Sequence, residues 1–180
     1  MGEDNVDANE VIQLLRLQRH DLMNDLQIVH GYLSMGKVDK VKVKVDEIIE
    51  GLNRERLLMN NSCPNFALWL IQTNLQHNHI QFTYEIGTSN RNLQAYDKVL
   101  TDIGNTIVDY ILADKLEIIN GVLQLIEEDS FIKLVVTLSG PPINSERWQN
   151  GMAKKLNNVW IQAEELESSV RFSFSLSSLE

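Results

Sequence analysis

The sequence predicts an α+β chain: an N-terminal helical hairpin, able to pair into a dimeric four-helix bundle, followed by an α/β sandwich. Three observations predict it. Apolar residues recur every three or four positions through the first third of the chain. The run Asn60-Asn61-Ser62-Cys63-Pro64 then breaks that pattern. Beyond it, short alternating segments are interleaved with helical ones.

The first helical seam reads Ile12, Leu15, Leu22, Leu26, Val29, Leu33, interrupted only by Arg19. Gly36 and Lys37 stop it, and Asp39 stands where it can cap a second helix. The seam resumes as Val38, Val41, Val45, Ile48, Leu52 and Met59, with Glu55 as the polar exception. Residues 41–45 also alternate like a strand, but the longer helical period wins. After Pro64 the pattern gives a short helix over 66–76, a strand over 81–86 and a turn over 87–92. A helix follows over 95–115, then paired strands over 122–127 and 131–138, a helix over 147–162 and a strand over 170–176. Trp69, Trp148 and Trp160 read as packing residues. The domains expected are 1–62 and 63–180.

The 180 residues, 43% hydrophobic and 23% charged, describe a soluble globular protein of one ordinary domain or two small ones. A net charge of −9 argues against general affinity for nucleic acid. The single cysteine, Cys63, excludes an intrachain disulfide and a cysteine-based zinc site, and fits a reducing compartment. No apolar run approaches the roughly 20 residues that span a bilayer. The acidic start, Met1-Gly2-Glu3-Asp4-Asn5-Val6, is unlike a signal peptide, and Val6 stands where a myristoylation motif wants Ser or Thr. A cytoplasmic protein with no membrane and no nucleic-acid partner is expected.

On a wheel of about 100° per residue with His20 at zero, the stripe of Leu15, Leu22, Leu26, Val29 and Leu33 centres near 220°. Leu14, Leu17, Ile28 and Tyr32 form a second apolar flank at about 60–120°. Two apolar faces exceed what one partner helix covers, so a bundle of four, and hence a homodimer, is expected. The remaining strip carries Gln13, Arg16, His20, Asn24, Gln27 and Gly31, with no acidic residue among them. A glycine there costs helix stability but leaves a flat surface on which another protein's backbone can approach His20. Asn, Gln and Arg are poor companions for a metal-binding imidazole.

Imidazole is a competent phosphoryl acceptor near neutral pH, because much of it is unprotonated and nucleophilic. Asp21 can hold the ring's other N–H, and Arg16 or Arg19 can meet phosphoryl oxygens. Exchange between a phosphohistidine and an aspartyl phosphate is nearly balanced in energy and needs mostly alignment and charge neutralisation.

The run Arg19-His20-Asp21-Leu22-Met23-Asn24-Asp25-Leu26-Gln27 resembles the phosphoacceptor box H-D-x-x-N-x-L-Q of one class of two-component sensor kinases. It is closer still to the sporulation initiation phosphotransferase B family. The resemblance implies that His20 takes a phosphoryl group from the aspartate of one response regulator and passes it to that of a second. It implies a support set of Arg16, Arg19, Asp21 and Asn24, and a docking set of Gln13, Asn24, Gln27, Ile28 and Gly31. It also implies no cofactor on this chain, with a divalent metal, Mg, on the regulator.

The second half is similar to a degenerate histidine-kinase ATPase domain. The segment Ile103-Gly104-Asn105-Thr106-Ile107-Val108-Asp109-Tyr110-Ile111 resembles L-G-N-L-I-D-N-A-L, with Asp109 at the metal-holding asparagine and Tyr110 at the following small residue. Leu138 stands for the adenine-recognising aspartate, Pro142 replaces a glycine, and Met152-Ala153-Lys154-Lys155 follows Gly151 where the family has G-x-G-L-G. Those losses favour a phosphotransferase over one rival reading, an active histidine kinase; a second rival, a non-catalytic scaffold that grips regulators, stays open.

Overall fold

A computed structural model of the chain describes residues 8–88, 93–128, 131–157 and 159–177. The acidic start, most of the turn expected at 87–92, and the Asp129-Ser130 connection lie outside the described residues. Two compact units are present, Met1–Glu55 and Arg56–Glu180. The division falls inside the second helix, earlier than the expected 62/63 boundary. Leu58, one turn past it, is 1% exposed and belongs to the core of the second unit.

The first unit is built by helix α1 (Ala8–Ser34) and the start of helix α2 (Val38–Met59). Gly36 has φ +69°, which glycine adopts without strain, and Lys37 N–H and Gly36 N–H donate to Tyr32 O and Leu33 O. That pair of bonds ends α1 and reverses the chain. Asp39 lies in the first turn of α2, two residues inside the cap position, which Lys37 occupies.

The helices run antiparallel, as three side-chain pairs fix. Gln18 Nε2 donates to Glu55 Oε1 at 3.0 Å, Lys44 Nζ pairs with Asp25 Oδ1 at 2.9 Å, and Lys40 Nζ lies 5.6 Å from the Tyr32 ring centroid. The face of α1 turned to α2 draws on both apolar sets: Leu14, Leu17 and Tyr32 of the second flank and Val29 of the first stripe are half-buried. The opposing face of α2 is Val41, Lys44, Ile48, Gly51 and Glu55. The more regular stripes stay exposed: Ile12, Leu15, Leu22, Leu26 and Leu33 on α1; Val38, Val45, Ile49 and Leu52 on α2. The strongest seam of α1 therefore contributes only Val29 to the closure, whereas that of α2 contributes Val41 and Ile48.

The second unit is a two-layer α+β domain. Its mixed five-stranded sheet has the order β1-β2-β3-β5-β4, with β1 (Ile80–Gly87), β2 (Ile119–Glu128), β3 (Phe131–Ser139), β4 (Val159–Glu165) and β5 (Ser169–Ser177). β1 and β2 are parallel, joined through α4 (Asp97–Ala113), and the other pairings are antiparallel. Together with α3 (Pro64–Gln76) and α5 (Ser145–Lys155), α4 packs on one sheet face. Leu100, Ile103, Ile107 and Ile111 from α4 meet Ile132, Leu134, Val136 and Leu138 from β3 and Phe172, Phe174 and Leu176 from β5 in one core.

Two expectations are corrected here. The helix expected over 147–162 ends at Lys155, and β4 begins at Val159. Ile161 of that strand is buried and flanked by exposed residues, an alternation that fits a half-buried strand, and it pairs with Phe174 of β5. Trp69 and Trp148 are buried, but Trp160 is 63% exposed and is not a packing residue of this unit.

Asp97 fixes how α3 meets α4. Its carboxylate is buried and accepts from Asn65 N–H (3.1 Å), Phe66 N–H (2.8 Å) and Asn65 Nδ2 (2.8 Å), capping the first turn of α3 from outside. Cys63 donates Sγ–H to Leu93 O at 3.2 Å, and burial pushes its thiol up to about 12. No helix among the described residues is long and apolar enough to cross a membrane.

Candidate functional site

His20 lies near the middle of α1 with its side chain 70% exposed. Its surroundings are uneven. Asp21 Oδ1 is 3.3 Å from Nδ1, and Asn24 Nδ2, one turn on, is also 3.3 Å from Nδ1. A neutral imidazole has one protonated and one bare nitrogen. Donation to Asp21 needs hydrogen on Nδ1 and leaves Nε2 bare. Acceptance from Asn24 needs Nδ1 bare and places hydrogen on Nε2. The two contacts therefore compete for the tautomer. Asp21 brings a charged acceptor, the stronger type of bond, and so favours a nucleophilic Nε2.

Of the residues singled out from sequence, Gln13, Arg16, Arg19, Asn24, Gln27 and Ile28 are exposed and Gly31 is half-buried. Asp21 and Asn24 are brought to the ring. Among the described residues no hydrogen bond joins Arg16 or Arg19 to this group. On the wheel Ile28 leans from the His20 strip towards α2, yet it stays exposed on this side of the hairpin.

Sequence reading missed the contribution of α2. Gly51 belongs to the half-buried row facing α1, between Lys44, paired with Asp25, and Glu55, paired with Gln18. It stands about a third of the way from the second pair to the first, level with His20 and Asp21. The signal was present in the three- and four-residue spacing of 41, 44, 48, 51 and 55, but polar residues in that row masked it.

The second region singled out from sequence is filled by side chains. Tyr110 packs against Trp148 with ring centroids 5.2 Å apart, and Lys155 Nζ lies 5.4 Å from the Tyr110 centroid. The same lysine reaches Asp109 Oδ2 at 3.5 Å. Arg147 and Trp148 Nε1 both bond Asp114 Oδ2, the latter at 2.8 Å. The Arg147 bond, aided by Trp148 and opposed by burial, holds the Asp114 carboxyl below the usual carboxylate range. Leu138 is a core residue of β3. A shallow depression of about 510 Å³ lies alongside, lined in part by Lys98, Asp102, Asn105, Thr106 and Lys155. Both its lysines are paired with carboxylates, Lys98 with Asp102 at 2.8 Å. No three His, Cys, Asp or Glu side chains among the described residues are grouped to hold a metal.

The chain is similar in part to known proteins. Over 96 residues, 53% of this chain, it is 33% identical to sporulation initiation phosphotransferase B of Bacillus subtilis (strain 168). The match spans half the length of that relative. The catalytic domain of histidine kinase ThkA is similar over 66% of this chain and 91% of its own, at 17% identity and TM-score 0.45. The structure of ThkA in complex with response regulator protein TrrA is similar over 98% of this chain and 66% of that one, at 13% identity and TM-score 0.43. Residues 1–61 match the family described as Sensor_kinase_SpoOB-type, alpha-helical domain.

Proposed function

We propose that the chain is a cytoplasmic histidine phosphotransferase of a sporulation phosphorelay, with His20 as its phosphoryl carrier. The observation that carries the reading is the engagement of Nδ1 by Asp21 while the ring stays exposed. Nε2 attacks the phosphorus of an aspartyl phosphate on a first response regulator. The N–P bond forms as the acyl O–P bond breaks, and the regulator's carboxylate leaves. The reverse exchange delivers the group to the aspartate of a second regulator. Asp21 keeps hydrogen on Nδ1, and Arg16 or Arg19 is free to swing onto the phosphoryl oxygens once a partner arrives. A divalent metal, Mg, belongs to the regulator.

The active form is a homodimer. On the wheel, the exposed stripe of each helix lies roughly 100° from the row that faces the other helix. Because the helices are antiparallel, both stripes fall on one side of the hairpin and His20 on the other. A second hairpin laid across the apolar side completes a four-helix bundle and leaves both histidines open.

The test is incubation with response regulators charged at their aspartate by labelled acetyl phosphate, and separately with labelled ATP. Label moving from a regulator to this chain, lost in His20→Ala, supports the reading. Label taken directly from ATP establishes a kinase instead, and retention of regulators without transfer establishes a scaffold. A stable monomer in sedimentation contradicts the bundle.

A further inference from the structure

The two outer strands of the sheet are β1 and β4. An outer strand offers backbone groups on which a strand of another molecule can form, and folded proteins blunt such edges. β4 is blunted by charge: it carries Glu164 and Glu165, and Gln149 Nε2 donates to its Ile161 O at 3.0 Å. β1 lacks that protection. The segment Ile80-Gln81-Phe82-Thr83-Tyr84-Glu85-Ile86 is rich in β-branched and aromatic residues, has no Pro or Gly and holds a single charge. That is the composition most prone to pair with itself. The one charge, Glu85, accepts from Gln124 Nε2 of β2 at 2.8 Å.

The free edge of β1 is closed in another way. His79 O accepts from Ile119 N–H at 2.8 Å on the β2 side, so the backbone groups of Ile80 and Phe82 face away from β2. Ile80 N–H donates to His77 O at 3.1 Å, within the turn that enters the strand. At Phe82 the partner is a side chain of α3. Phe82 N–H donates to Asn74 Oδ1 at 2.7 Å, and Asn74 Nδ2 donates to Phe82 O at 2.8 Å. A carboxamide presents a donor and an acceptor side by side, as the opposite residue of an antiparallel strand does. Asn74 stands where a sixth strand would bond.

We infer that Asn74 guards the β1 edge, and that the body it excludes is β1 of a second copy of this chain. Symmetry and charge single out that occupant. Antiparallel pairing centred on Phe82 sets Ile80 opposite Tyr84 and Glu85 opposite His79, so no carboxylate meets its own copy. Such a contact is separate from pairing through the hairpins, and the two together would grow without closing.

Asn74→Ala removes both bonds and uncovers the edge. Asn74→Asp keeps the size of the side chain but brings two like charges together when copies pair about Phe82. Sedimentation velocity of the full chain over a wide concentration range is combined with hydrogen exchange of the Phe82 amide. The expected result is an Asn74→Ala protein that is folded when dilute and at least doubles in mass over wild type when concentrated. Its Phe82 amide should exchange fast in dilute solution and become protected as the mass rises. Asn74→Asp should match wild type in size throughout. An Asn74→Ala protein of wild-type size at every concentration overturns the inference. Equal association of Asn74→Asp overturns it too, since a loosened α3 would then be the cause. Association that leaves Phe82 exchange fast places the contact elsewhere and overturns it likewise. Loss of the folded state in Asn74→Ala makes the carboxamide a fold element, not a guard, and also overturns it.

Discussion

Gly151 faces the hydroxyl of Tyr110 with no room for one added carbon between them. The two residues sit on different helices, α5 and α4, and the Tyr110 ring continues into Trp148 and on to Phe172, whose centroid is 5.9 Å from that of Trp148. A tyrosine at 110 and a glycine at 151 are therefore one packing arrangement and not two separate substitutions.

Gly151→Ala should destabilise the second unit by about 1–3 kcal/mol, the usual range for overpacking. Tyr110→Ala opens a cavity instead. The double variant should be more stable than the sum of the two losses predicts, because the added methyl enters vacated space. Urea unfolding of the four proteins measures the coupling, and strict additivity would show that the residues do not meet.

Asp97→Asn keeps the size of the side chain but turns one acceptor into a donor that faces N–H groups. The cost should be about 1–3 kcal/mol, the penalty for stranding buried donors at the start of α3. Thermal unfolding measures it. A loss below half a kcal/mol would mean that solvent or another group satisfies Asn65 and Phe66 (~0.5 kcal/mol is the surface-substitution range).

Asp114 gives the second unit an acid-sensitive contact. Its folded-state carboxyl lies below the usual range because of Arg147 first and Trp148 second. Its contribution is fully present above the unfolded pKa, near 3.9, and disappears as pH falls through the lower folded value. The stability gap between wild type and Asp114→Asn should thus be constant from neutral pH to about 5 and narrow below about 4. The gap should be small, since Arg147 is largely exposed. Urea midpoints across that range check it.

Asp21 and Asn24 should act in opposite senses on His20. Asp21→Asn removes the charged acceptor that holds hydrogen on Nδ1, and phosphoramidate labelling should slow by about tenfold. Asn24→Ala removes the competing donor, and labelling should hold or rise. Initial labelling rates decide the matter, and a slower Asn24→Ala would reverse the assigned tautomer.

The hairpin was legible because its break, Asn60 to Pro64, and its turn at Gly36 are strong local signals. The face that closes it was not. Leu22, Leu26, Leu33 and their stripe mates are the most regular apolar set, and periodicity shows that a face is sticky without showing what covers it. Inside one chain the less regular row of Leu14, Leu17 and Tyr32 makes the contact, helped by Lys44 and Glu55. The Arg147 helix was extended too far because strand β4 is specified by pairing with β5, a partner that follows it in sequence. At the site, the type and exposure of His20 were readable from one helix. Gly51 became visible only when the antiparallel register set it beside the imidazole.

The most direct measurement is phosphorus NMR of the chain after exposure to a charged regulator, with nitrogen-coupled detection to identify the bonded atom. A single phosphoramidate on Nε2 of His20, absent in His20→Ala, is the result predicted. Phosphate on Nδ1, on His30, His77 or His79, or on no histidine at all would contradict the account.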